Sequence, residues 1–108
     1  MFTMVGVKRI AFLMPESASL KDKRQIIRKL RDTITSKFNA SFAEVDTDDK
    51  LQRSIVSIAM VANTDDVIRA AFVQISNMVE QTAGVRVFND VDDIFRYEDE
   101  SGSAWIPE

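Results

Sequence analysis

The sequence predicts an α+β fold: a ferredoxin-like βαββαβ sandwich, with a four-stranded antiparallel sheet and two helices on one of its faces. Three observations predict it. Four short segments rich in β-branched and aromatic residues alternate with two of helical periodicity, in the order strand, helix, strand, strand, helix, strand. A polar hairpin joins the middle two strands, so each half is a βαβ-type crossover. The 108 residues, 45% apolar and 29% charged, are enough for one core and too few for two. The domain is expected over residues 1–97, with 98–108 as an acidic C-terminal tail carrying Trp105 and Ile106.

The first strand runs from Met4 to Met14 and is stopped by Pro15. Val5, Val7, Ala11 and Leu13 fall on one of its faces and Met4, Ile10, Phe12 and Met14 on the other, so both faces are apolar. Pro15 to Ala18 turns the chain into a helix covering Ser19 to Phe38. Ser19 is its N-cap, Asp22 completes a capping-box variant, and Leu20, Ile27, Leu30, Ile34 and Phe38 make its buried stripe. Asn39 is expected to stop this helix in the left-handed conformation. Ala40 to Val45 is a short second strand and Asp46 to Lys50 a polar hairpin loop. Gln52 to Ala62 is the third strand, again apolar on both faces. Asn63 or Thr64 caps a second helix, with Asp65 and Asp66 in its first turn. The inner face of that helix is Ile68, Ala71, Phe72, Ile75, Met78 and Val79, and Gly84 is its expected end. Val85 to Tyr97 supplies the fourth strand, with an interruption near Asn89–Asp93.

Charge is spread unevenly along the chain. Residues 1–38 carry nine basic and three acidic side chains and residues 39–108 five and fourteen, within a net of −3. Seven of the fourteen Lys and Arg residues lie between Lys21 and Lys37. Lys21, Arg24, Arg28 and Arg31, at i, i+3, i+7 and i+10, form a basic flank beside the buried stripe. Lys21, Lys23 and Arg24 crowd the first turns, where the helix dipole disfavours each cation by about 0.3–1 kcal/mol before screening. A local rule broken in this way points to an anionic partner. The competing reading is a solvated face, rich in Lys and Arg because these residues propagate helices well. Ser17, Ser19 and the free N–H groups of the helix start, with Lys21, Lys23 and Arg24 around them, make a candidate anion site.

The composition removes several kinds of chemistry. With neither cysteine nor histidine, the chain has no disulfide, no thiolate nucleophile and no imidazole base or ligand. It contains no GxGxxG or GxxxxGK[ST] pattern, and its three glycines leave no phosphate-cradling loop. The loop from Asp46 begins like a calcium loop but lacks the glycine at its sixth place and the carboxylate at its twelfth. Asp90, Asp92 and Asp93 read as a solubilising strand end. The third strand has none of the aromatic residues on which RNA-recognition sheets stack bases. No cofactor, no metal site and no catalytic residue is expected. Apolar runs too short to cross a bilayer, and the lack of a signal-peptide pattern, give a cytoplasmic expectation with no membrane partner.

Ser-Leu-Lys-Asp-Lys-Arg at 19–24, Phe-Asn-Ala-Ser-Phe-Ala-Glu-Val at 38–45 and Gln-Arg-Ser-Ile-Val-Ser-Ile-Ala at 52–59 resemble the YlxP-like family of small, uncharacterised bacterial proteins. Val-Gly-Val at 5–7 fits as well, and the likeness runs from about Met4 to Val91. The resemblance implies a ferredoxin-like fold and a frequent dimer. It also implies a ribosome-associated role, because genes of this kind commonly lie among those for translation initiation and ribosome maturation. Leu51 departs from the pattern, where Trp is frequent, and the acidic extension after Tyr97 is longer than usual. The family supplies no catalytic residues to carry over.

The function expected is therefore that of a non-enzymatic accessory factor binding structured, ribosomal RNA or the ribosome. Ser17, Ser19, Lys21, Lys23, Arg24, Arg28 and Arg31 are the residues expected to do so. One alternative is a homodimeric interaction module whose basic helix meets an acidic protein. Another is binding of a small anion at the helix start. The outer faces of the first and third strands would expose a large apolar patch if left bare. A second copy of the chain, or the tail with Trp105, is expected to cover it.

Overall fold

The computed structural model describes residues 2–46 and 50–99. Six elements follow one another: β1 (Phe2–Leu13), α1 (Leu20–Lys37), β2 (Ser41–Glu44), β3 (Arg53–Ala62), α2 (Asp65–Glu80) and β4 (Arg86–Glu98). The sheet order is β2-β3-β1-β4 and every neighbouring pair is antiparallel. This is the ferredoxin-like α+β arrangement, with β1 and β3 at its centre.

The two-residue period of the strands decides what the sheet offers to each side. Ile10 and Phe12 of β1 and Val56, Ile58 and Met60 of β3 point at the helices and are buried. Leu30 and Ile34 of α1 and Ile68, Phe72, Ile75 and Val79 of α2 close the core over them. Each such side chain contributes about 1.5–3 kcal/mol on leaving water. Gly6 lets α2 approach β1 closely, since a Cβ there would lie 2.4 Å from Ile68 Cγ2 and 2.9 Å from the Phe72 ring.

The odd-numbered positions of β1, β3 and β4 face the other way. Val5, Val7, Ile55, Ala59, Val61, Val91, Phe95 and Tyr97 share this face with Arg9 and Asp93. Val61, Val91 and Tyr97 are more than half exposed. Both apolar faces expected of β1 and β3 are present, and among the described residues nothing covers the outer one. Residues 100–108, with Trp105, lie outside the described residues, as do 47–49 of the hairpin loop.

Four local expectations need correcting. Phe38, in an extended conformation at φ −126°, caps α1, and among the described residues no non-glycine has a positive φ, so Asn39 is not a left-handed stop. Gly84 is left-handed at φ +80° but lies four residues beyond the end of α2, which closes through Gln81 N–H to the Asn77 carbonyl. Gly84 instead turns the chain into β4. β4 runs unbroken through residues 89–93, and its one irregularity is a bulge at Phe88, between the pairs Ala11–Asn89 and Phe12–Val87. Two of the three aspartates in that stretch, Asp90 and Asp92, are held by Lys8, as described below. Finally, Leu20 is exposed and Lys23 takes its place on the inner stripe of α1.

Candidate nucleic-acid interface

α1 begins as its sequence dictates. Ser19 Oγ accepts a hydrogen bond from Asp22 N–H at 3.1 Å, and Asp22 Oδ2 accepts one from Ala18 N–H at 3.0 Å. A side-chain carboxylate thus stands at the positive end of the helix dipole, where an external anion would sit. Ser17 is buried and its hydroxyl donates to the Ser19 carbonyl at 3.4 Å. The two serines of the candidate anion site therefore serve the fold. A shallow depression of about 590 Å³, lined by Ser17, Ala18, Lys50 and Arg53 among others, lies beside them.

Lys23 also turns inward, which corrects its place in the exposed cationic set. Its ammonium donates to the Lys50 carbonyl at 2.8 Å and lies 3.7 Å from Glu44 Oε2. Ser54 Oγ, also buried, donates to the same Glu44 oxygen. α1 is in this way tied to both strands of the β2–β3 hairpin. The physical reason is position: Lys23 lies seven residues before Leu30, on the row of the buried stripe. Its butyl stem fills that row while the ammonium finds two oxygens.

The remaining cations are brought together. Lys21, Arg24, Arg28 and Arg31 are exposed along one flank of α1, turned away from the core. Arg31 pairs with its neighbour Asp32 at 3.1 Å, both well exposed, a contact of small energetic consequence. Among the described residues Lys21, Arg24 and Arg28 form no ion pair. Successive members of such a row stand ~5–6 Å apart on the helix surface. That spacing presents several positive charges to one extended anion and no concave cradle to a small one.

The most enclosed charge cluster lies elsewhere, and the sequence reading missed it. Lys8, 2% exposed, sits on the core side of β1. Its ammonium is 2.5 Å from Asp90 Oδ1 and 3.2 Å from Asp92 Oδ2 of β4, and 5.6 Å from the centroid of the Phe72 ring. Ser76 Oγ of α2 donates to Asp90 Oδ2 at 2.7 Å. Asp90 and Asp92 are therefore not a solubilising strand end: they neutralise a buried lysine and join β1, β4 and α2. The signal was available, because Lys8 falls between Gly6 and Ile10 on the alternation that buries Ile10 and Phe12.

Comparison with known proteins adds a family. A family model described as "Protein of unknown function (DUF503)" matches residues 5–90. The uncharacterised protein YlxP of Bacillus subtilis (strain 168) is 30% identical over 61 residues, 56% of this chain and 66% of that protein, just under two thirds of its length. A de novo designed protein with a ferredoxin fold, solved by NMR, is similar over 97% of this chain and 93% of its own, at 18% identity and a TM-score of 0.37. A likeness that loose carries no argument, and the fold rests on the strand order itself.

Proposed function

We propose that this chain, which belongs to the DUF503 family of proteins of unknown function, is a non-enzymatic accessory factor that binds structured RNA, ribosomal RNA first among candidates. The observation that carries the proposal is the row Lys21, Arg24 and Arg28: exposed, without ion pairs among the described residues, and beside a helix start already capped by Ser19, with the Asp22 carboxylate in its first turn. Cations kept near the positive end of a helix dipole stabilise nothing locally, and a polyphosphate surface offers what they lack. A row on a convex helix fits a phosphate backbone better than a single phosphate, because it offers many charges and no pocket. Contacts of this kind position a protein on RNA and read no sequence.

The direct test is co-sedimentation of the full chain with ribosomal subunits at 50 and 200 mM salt. The proposal expects binding to one subunit at the lower salt and clear weakening at the higher. Absence from all ribosomal fractions at both salts would contradict it and favour an acidic protein as the partner of α1.

A further inference from the structure

The outer face of the sheet carries a pattern that is complementary to itself. In the β1–β3 register Val5 stands opposite Val61, and in the β1–β4 register Val7 stands opposite Asp93 and Arg9 opposite Val91. Val61, Val7 and Val91 therefore lie on one diagonal across three strands. Their exposures are 60%, 37% and 54%, high for valines at the middle of a sheet. Arg9 flanks this diagonal on one side and Asp93 on the other, and both line the same shallow groove with Val7 and Val91. Neither forms an ion pair among the described residues; Arg9 Nε donates only a long, exposed bond to Ser57 Oγ at 3.4 Å.

We propose that a second copy of this chain covers the open face, with the two-fold axis lying along the diagonal Val61–Val7–Val91. Strands are ~4.8 Å apart and same-face neighbours along a strand ~6.6 Å, so rotation about that line brings each Arg9 within side-chain reach of the other copy's Asp93. Each valine of the diagonal meets its own counterpart, as an isologous interface requires. The same rotation sets Phe95 of each copy above the small residues Ala43, Ser57 and Ala59 of the other, a large side chain over a shallow hollow. The two sheets then cross steeply, near the orthogonal class of sheet packing.

Pairing through the free edge of β4 is disfavoured. Two antiparallel copies centred there would set Asp92 directly against its counterpart, with Asp90 and Asp93 of both copies close by. The crossed faces share a square roughly 19 Å on a side, about 360 Å² in projection, a small contact beside the ~800 Å² per partner of a standard interface. In so small an interface two ion pairs decide the outcome. The inference is independent of RNA: it leaves both α1 flanks on the outside of the dimer and is tested without nucleic acid.

The experiment is sedimentation equilibrium of the full chain, of Arg9→Asp, of Asp93→Arg and of an equimolar mixture of the two variants. Circular dichroism of each variant establishes that these surface changes leave the fold intact. The wild type is expected to be a dimer, and each variant to dissociate at least about tenfold more readily, since each sets like charges together twice. The mixture is expected to recover wild-type association as a one-to-one heterodimer, because every Asp then faces an Arg. A monomeric wild type, variants as dimeric as the wild type, or a mixture that stays dissociated would each overturn the proposal. So would a chain ending at Asp99 that dimerises where the full chain does not, since residues 100–108 would then be what covers the face.

Discussion

At the scale of single residues, the lesson lies in three lysines. Lys21 and Lys23 are two positions apart, and the sequence presents them alike. The fold separates them: Lys21 is exposed, while Lys23 is buried against Glu44 and the Lys50 carbonyl. Charge alone assigned Lys23 to the surface, although its helical position assigned it to the core row, and position decides because the long stem can bury while the ammonium pairs. Lys23→Met should cost about 1–2 kcal/mol in urea unfolding, since Glu44 and the carbonyl lose their donor. Lys21→Gln combined with Arg24→Gln should leave stability unchanged or raise it by up to about 1 kcal/mol, less in salt. Equal effects of the two changes would show that Lys23 is not held as described. Lys8 is the third case. Its partners are more than 80 residues away, beyond any local pattern. Lys8→Met strands Asp90 in a mostly enclosed site and should cost about 3 kcal/mol, and adding Asp90→Asn should return part of it. Additive losses in the double variant would argue against the pair.

At the scale of elements, periodicity was the reliable guide. The inner face of α2, that of α1 apart from the exchange of Leu20 for Lys23, and the two-sided apolar character of β1 and β3 follow from spacing, and the structure has the elements in the expected order. Ends were read less well. Asn39 and Gly84 suit a left-handed stop, yet α1 leaves through an extended Phe38 and Gly84 serves the next turn, because the path into the following strand sets the exit geometry. The helix-start site was misread for a related reason: Ser17, Ser19 and Asp22 satisfy one another, so little is left for an outside anion. Gly6 tests the packing of α2 on β1 most sharply. Gly6→Ala places a methyl against Ile68 and Phe72 and should lower stability by about 1–3 kcal/mol through overpacking. A thermal midpoint equal to wild type would mean that α2 sits less tightly on β1 than this geometry states.

At the scale of the whole molecule, the uneven charge of the chain becomes a surface. Nine of the fourteen basic residues precede residue 39, and α1 collects most of them while the fold withdraws Lys8 and Lys23 into ion pairs. Apart from Arg9 on the outer face of the sheet, what remains outside is Lys21, Arg24, Arg28, Lys29, Arg31 and Lys37, all exposed on one helix. The most direct measurement is the salt dependence of RNA binding by the wild type and by Arg24→Gln/Arg28→Gln. Three to five phosphate contacts at a coefficient of about 0.7 each give a log–log slope of roughly −2 to −3.5, a weakening of about 15- to 130-fold between 50 and 200 mM salt. The double variant should lose about one to two units of that slope and weaken binding to unrelated RNAs alike, since phosphates carry no sequence information. Binding by the double variant equal to wild type at both salts would contradict the assignment of this helix as the RNA-binding surface.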